Sequence, residues 1–277
     1  MTEWAFIAGF VAAIGIAVGA LVVLLGSIVV AALPRLTPAI VFNYSNSTNP
    51  ATAGYAAAIV GTLWIVGLTL LFSLPLGIAA GIYLQEYGGR GILSRILQAG
   101  VANLAGVPSV VFGLLGLAVF VRALGMGPVV LAGALTMTML VFPYVVITTQ
   151  EAVRAVPQSI RDAALALGST KWQAIRRQVL PAAAPGLLTG AILAAARAIG
   201  ETAPLLVIGA LFLQTFIPYG PDSPFVALPV QIYAYTILPV NQWGGVAAAG
   251  MVVLLGVLFS FNAVAVIARN RLQRQRW

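Results

Sequence analysis

The sequence contains no cysteine and no histidine, and only six acidic residues in 277. The missing cysteines exclude disulfides, thiol nucleophiles and iron–sulfur ligation, and the missing histidines remove the other usual ligand of zinc and haem. With so few acids, scattered along the chain, there is no cluster of acids, imidazoles or thiols of the kind an integral membrane enzyme needs near one face. Charge of either sign is scarce, at 7% of residues against about 25% in soluble domains. No G-x-x-x-x-G-K-[ST] occurs, and Gly88-Gly89-Arg90-Gly91 lacks both the Lys and the strand context of a phosphate loop. Any ATP hydrolysis that drives this chain must come from another subunit. So must a high-affinity solute receptor, because no soluble stretch here is long enough to be one.

Apolar residues are abundant, at 61%. A soluble protein of this length still needs a polar exterior, so the solvent for this chain is lipid. A spanning helix needs about 20 predominantly apolar residues. Six stretches qualify, at 6–33, 55–84, 100–121, 128–149, 182–215 and 243–268. The expected fold is all-α, a polytopic membrane protein with six transmembrane helices. Met1-Thr2-Glu3-Trp4 has no basic lead, and the apolar run behind it is too long for a signal peptide, so the first span is expected to be a retained anchor. Residues 1–54 then form the first span and an outer loop, 55–268 a five-helix core, and 269–277 a basic tail.

The net charge of +8 follows from topology. With both termini cytoplasmic, the inner side receives Arg90, Arg95, Arg154, Arg161, Lys171, Arg176, Arg177, Arg269, Arg271, Arg274 and Arg276, and the outer side only Arg35 and Arg122. Eleven against two is a strong positive-inside bias. No basic cluster sits on a soluble domain that could hold a duplex, which excludes nucleic acid as a partner. Gly15/Gly19, Gly77/Gly81 and Gly186/Gly190 have the small-xxx-small spacing of close helix packing. Pro75, Pro108, Pro143, Pro185 and Pro204 lie in or at the ends of spans, where neighbouring helices can satisfy the carbonyls a kink frees.

Residues 150–181 form the longest polar stretch. Pro157 suits the first turn of a helix and Gly168 the position just past its end. Between them Ile160, Ala163, Ala164 and Leu167 fall on one face at helical spacing. Thr170 and Gln173 have capping-box spacing and start a second helix that is expected to run to Leu180-Pro181. Such a short pair cannot bury its apolar face alone. It rests either on a partner's groove or on the bilayer and its own bundle.

The residues of this loop favour the groove. Asp162-Ala163-Ala164, then Gly168, then Leu180-Pro181, resembles the EAA loop of ABC importer permeases, with Asp162 where Glu is usual and Gln178 where Ile is usual. The resemblance implies a coupling helix that docks into a cleft of a cytoplasmic ATPase subunit. Ala196-Arg197-Ala198-Ile199-Gly200-Glu201-Thr202-Ala203-Pro204 is similar to the hallmark of phosphate-specific permeases of the PstA type. So are Ile82-Tyr83-Leu84-Gln85-Glu86-Tyr87, Asn103-Leu104-Ala105-Gly106-Val107-Pro108-Ser109 and Ala155-Val156-Pro157-Gln158-Ser159, and the likeness covers 55–268. It implies a type I importer subunit in a prokaryotic plasma (inner) membrane that moves inorganic phosphate by alternating access. The implied partners are a paralogous PstC-type permease, two PstB-type ATPase subunits and a PstS-type extracytoplasmic phosphate-binding protein.

Arg197 and Glu201 also have a physical reading of their own. Ionisable residues within a span are costly and mark functional sites. Four apart, the two are expected on one helix face, able to pair. Arg binds phosphate through a planar fork and stays charged, so Arg197 is expected to meet the anion with Glu201 as its resting partner. Thr202, Ser109 and Asn103 are candidates for neutral hydrogen bonds along the path, and Asp162, Ala163, Ala164, Gly168, Leu180 and Pro181 for the docking contacts. The alternatives are the same architecture carrying sulfate, molybdate or another oxyanion, and, from another class, an autonomous channel, which would not need a docking loop, or an integral membrane enzyme, which would need the clustered acids, His or Cys that are missing here.

Overall fold

The computed structural model describes residues 2–89, 91–210, 213–238 and 243–274. Arg90 and Arg276, counted above on the inner side, lie outside the described residues, as do 239–242, which fall in a Pro- and Tyr-rich segment before Trp243. Among the described residues the chain is helical, with one isolated bridge between Val129 and Pro224. In order the helices are α1 (Thr2–Ala32), α2 (Pro38–Phe42), α3 (Ala56–Ile82), α4 (Ile92–Ala105), α5 (Ser109–Gly116) and α6 (Val130–Arg154). There follow α7 (Gln158–Ala166), α8 (Lys171–Ala174), α9 (Leu180–Gly200), α10 (Ala203–Ile208), α11 (Leu228–Thr236) and α12 (Trp243–Arg274). Widened π turns extend α3 over Tyr83–Tyr87 and α5 over Leu117–Ala123, and another joins α8 to α9 over Ile175–Val179.

Five continuous helical stretches are long and apolar enough to cross a membrane: Phe6–Arg35, Ala56–Tyr87, Val130–Arg154, Lys171–Gly200 and Trp243–Arg271. Helix is the form these runs must take, since within lipid every backbone N–H and C=O has to be satisfied inside the segment. The sixth expected span, 100–121, is not one straight helix. α4 and the α5 segment meet at 101°. Pro108 sits at the bend, where its missing N–H and its ring, which would collide with the Leu104 carbonyl, stop helix propagation.

The fifth span also departs from the expected 182–215. It starts earlier, because the second helix of the polar loop does not end at Leu180-Pro181 but runs through the π turn into α9. That widened turn takes up the Pro181 ring that an α turn would exclude. The span stops at Gly200, since a continued helix would drive the Pro204 ring into the Gly200 carbonyl. Glu201 is extended (φ −76, ψ 126), and α10 closes on Gly209 in the left-handed region (φ +98). Leu211 and Phe212 lie outside the described residues.

Helix α6 is the centre of the bundle and carries buried residues in every turn from Val130 through Met137, Val141 and Val146 to Val153. Helices α3 and α9 grip its two sides through glycines. A β-carbon on Gly81 would lie 2.6 Å from Thr149 Cβ, and one on Gly190 would lie 2.7 Å from Thr148 Oγ1. Two of the three glycine pairs are thus close-packing sites. Gly15 and Gly19 meet nothing within 4 Å, because α1 leans on the rest of the chain only near its C-terminal end, through Ile28 and Ala32. A second core lies where α3 begins. There Tyr235 stacks on Trp243 at 5.1 Å and meets the edge of Tyr55 at 5.6 Å.

Candidate functional site

The residues singled out from sequence fall into two groups at opposite ends of one rod. Lys171–Gly200 is helical throughout, so Lys171 and Arg197 stand about 39 Å apart along it at a rise of 1.5 Å per residue. Arg197 lies about 30 Å from Arg177 on the same measure, one hydrocarbon thickness.

At the far end, Arg197 occupies the last turn of α9, where a cation is favoured by the exposed carbonyl ends. Glu201 has left the helix, so the two do not share a helical face as the spacing suggested. They still pair, with Arg197 Nε 3.4 Å from Glu201 Oε1, and their side chains are 45% and 19% exposed. The Tyr144 ring of α6 lies below the guanidinium, 5.9 Å from its carbon to the ring centre. Among the described residues this guanidinium donates no hydrogen bond of ordinary geometry. It is therefore loosely held and reachable.

Thr202, partly buried, sits at the junction of α9 and α10. Asn103, exposed, and Ser109, partly buried, flank the bend between α4 and α5. The two interrupted spans are packed on each other: a β-carbon on Gly113 would lie 2.8 Å from Pro204 Cα and 2.9 Å from Val207 Cβ. Ser109, one turn before Gly113, is on that same face of α5. Among the described residues no hydrogen bond links Asn103, Ser109 or Thr202 to Arg197 or Glu201. The structure brings the breaks together but does not join these groups into one network.

At the near end, α7 and α8 form the expected helix pair. Gly168 has φ +83, and α7 closes in a Schellman arrangement with Gly168 N donating to Leu165 O (2.9 Å) and Ser169 N to Ala164 O (3.1 Å). The capping box is present: Thr170 Oγ1 accepts from Gln173 N at 3.3 Å, and Gln173 Oε1 accepts from Thr170 N at 2.9 Å. Asp162 is exposed and accepts from Gln158 Nε2 at 3.1 Å. The apolar face divides. Ile160 and Ala164 turn inward, whereas Ala163 is exposed and Leu167 is 87% exposed. Leu165 and Trp172 add to this open apolar tip. Leu180 and Pro181 are half-buried in the π–α9 junction, away from the tip.

Sequence reasoning missed the polar cluster beneath the tip. Arg161, read above only as a topology marker, donates to Glu86 Oε1 from Nε (3.0 Å) and Nη2 (2.7 Å). It also donates to the carbonyls of Val156 (2.7 Å) and Val153 (2.9 Å) at the end of α6. Lys171 Nζ donates to the Glu86 carbonyl and stands 4.7 Å over the Tyr87 ring. A groove of about 600 Å³ opens beside the cluster, walled by Gln85, Arg154, Gln158 and Leu165. The available signal was Glu86, the lone carboxylate of the 85–99 stretch, which needs a cation nearby if it is to be buried.

Residues 73–273 match the family model described as "Binding-protein-dependent transport system inner membrane component". The chain is 35% identical over 232 residues to "Phosphate transport system permease protein PstA" of Haemophilus influenzae, covering 81% of this chain and 80% of that one. It is 31% identical over 232 residues to "Probable ABC transporter permease protein YqgI" of Bacillus subtilis, covering 79% of each. Among solved structures it is similar to the membrane chain of "Inward facing conformations of the MetNI methionine ABC transporter", with a TM-score of 0.65 and 19% identity over 78% of this chain and 96% of that chain. The last likeness speaks to fold alone.

Proposed function

This chain belongs to the family of binding-protein-dependent transport system inner membrane components, and from that premise we propose that it is the permease subunit of an ATP-driven importer of inorganic phosphate. The observation that carries the cargo is Arg197. It is a permanently charged planar fork at the broken end of a spanning helix, paired with Glu201 at 3.4 Å over the Tyr144 ring and 45% exposed to an arriving anion. The name of the Haemophilus relative supports the same cargo.

In this reading phosphate displaces Glu201 from Arg197 and takes both arms of the guanidinium, and Asn103, Ser109 and Thr202 offer neutral hydrogen bonds where the two broken spans meet. The α7–α8 end faces the cytoplasm, as the positive-inside bias requires. Its apolar tip (Leu165, Leu167 and Trp172) together with Asp162, Ala163 and the Gly168 turn docks into a cleft on an ATPase subunit. Ala164 turns inward behind that tip, and Leu180 and Pro181 lie half-buried at the π–α9 junction, away from it. The working unit is a heterodimer with a paralogous permease, driven by two ATPase subunits and loaded by an extracytoplasmic phosphate-binding protein. ATP closes the ATPase pair, and the docked helices carry the closure into the spans by alternating access.

The test is uptake of radiolabelled phosphate in cells lacking their own high-affinity system, with this chain and its partners supplied, against cold phosphate, sulfate and molybdate. ATPase-dependent uptake blocked only by phosphate or arsenate is the expected outcome. Competition by sulfate or molybdate would move the cargo, and uptake without the ATPase would overturn the docking assignment.

A further inference from the structure

The polar cluster beneath the docking tip has no part in the cargo site, yet Arg161 alone donates to Glu86 and to three backbone carbonyls there. The Arg161 and Glu86 side chains are only 13% and 8% exposed, and their closest approach is 2.7 Å. Isolated, either charge would be costly to bury; together, with the remaining donors of the fork on backbone carbonyls, the pair is satisfied. Three elements meet on it. Arg161 belongs to α7, Glu86 to the π turn that prolongs α3, the Val153 carbonyl to the last turn of α6, and the Val156 carbonyl to the short link that follows it. Lys171, the first residue of α8, holds the same Glu86 by its carbonyl. Both limbs of the helix pair therefore grip one residue.

What lies behind Glu86 is rigid. Gly81 and Gly77, one and two turns up α3, are in close packing with Thr149 and Val145 of α6, and such interfaces shift as units rather than bending. A load applied to the tip would otherwise be absorbed by the hinges on either side of α7, the Pro157 entry and the left-handed Gly168 turn.

We infer that Glu86 and Arg161 are positioning residues that form a transmission latch, tying the ATPase-docking helices to the α3–α6 pair so that movement of the tip moves the spans. Lys171 is its second arm. The latch rests on the importer reading above, and its signature is uncoupling: hydrolysis continues while transport does not follow.

The experiment uses the full transporter, with both permeases, the ATPase and the binding protein, in proteoliposomes. Phosphate uptake and ATP hydrolysis stimulated by the loaded binding protein are measured on the same vesicles. Couplings between sites are typically ~5–150-fold, so Glu86→Gln and Arg161→Gln should lower uptake per ATP by about tenfold or more while basal hydrolysis and subunit stoichiometry hold. Arg161→Lys, which keeps the charge but loses the fork, should recover part of the ratio. Arg154→Gln, at an exposed pair with Glu151 (63% and 62%), should leave it unchanged. Uptake and hydrolysis falling in equal proportion, or neither falling, would overturn the latch.

If the buried variants fail to assemble, Lys171→Gln decides alone, since its side chain is exposed. It should lower the ratio by about twofold or more, and an unchanged ratio refutes the assignment. Vesicles that import sulfate or molybdate instead of phosphate would correct the cargo and leave the latch to be scored on that ion. Absence of stimulated hydrolysis in the unaltered transporter would overturn both.

Discussion

The two charges at the far end of α9 should respond to neutralisation very unequally. In Glu201→Gln the lost interaction is one pair at 3.4 Å whose cation is nearly half exposed, and exposed pairs contribute ~0.2–1 kcal/mol. Folding should barely register the change. Phosphate, which no longer has to displace a carboxylate, should bind with unchanged or up to about fivefold higher affinity. In Arg197→Gln the lost interaction is a bidentate contact to an anion. Each charge-assisted bond contributes ~1.5–3 kcal/mol, so the pair of bonds is worth ~3–6 kcal/mol. At ~1.4 kcal/mol per decade, uptake at limiting phosphate should fall by about two to four orders of magnitude, with assembly intact. Initial uptake rates across a range of phosphate concentrations, alongside recovery of the intact complex on an affinity-tagged ATPase, separate the two effects. Near-normal uptake by Arg197→Gln would refute the cargo assignment. An equally severe loss from both variants, with both still assembled, would show that the pair acts as a unit and that Glu201 is not merely a resting partner.

Four further substitutions test the frame that holds these sites. Gly81→Ala places a β-carbon 2.6 Å from Thr149 Cβ. Overpacking of this kind costs ~1–3 kcal/mol and should lower the melting temperature in detergent. Gly15→Ala, with nothing within 4 Å, should leave that temperature unchanged or raise it, and equal responses would contradict the α3–α6 packing. Leu167→Asp at the 87% exposed tip should abolish copurification with the ATPase at unaltered thermal stability; retained copurification would place docking elsewhere. Thr170→Ala removes the capping box, a loss of ~1 kcal/mol, and amide exchange over 170–174 should quicken by about fivefold, with unchanged exchange counting against a role for the cap.

Local chemistry was readable directly from the sequence, and relations between distant residues were not. The capping box at Thr170-Gln173 and the left-handed turn at Gly168 are satisfied within a few residues, so spacing alone specifies them. Five spanning stretches and their glycine contacts at 77/81 and 186/190 were legible for the same reason. The broken spans were not. Pro75, Pro143 and Pro185 remain inside helices, whereas Pro108 and Pro204 interrupt theirs. An apolar run hides the difference, because it depends on whether another helix packs against the break. Here α5 and α10 do so for each other, through Gly113 and Pro204. The Glu86–Arg161 pair is 75 residues apart in sequence, beyond any periodicity, and only the folded chain brings it together.

The two ion pairs are built for opposite demands. Glu86–Arg161 is short, nearly sealed and braced by carbonyls of a second helix. Opening it would leave a buried charge without a partner, which is strongly destabilising, so it suits a joint that must stay closed under load. Arg197–Glu201 is long, with the guanidinium 45% exposed and the carboxylate already outside the helix. Parting it costs ~1 kcal/mol or less, which an arriving anion repays with a single charge-assisted bond. If Arg197 is the cargo contact proposed above, a tight pair at the far end of α9 would set phosphate a barrier it could not offset. Had the chain carried the loose pair beneath α7, the ~39 Å rod between docking tip and guanidinium would have no second anchor against which to move.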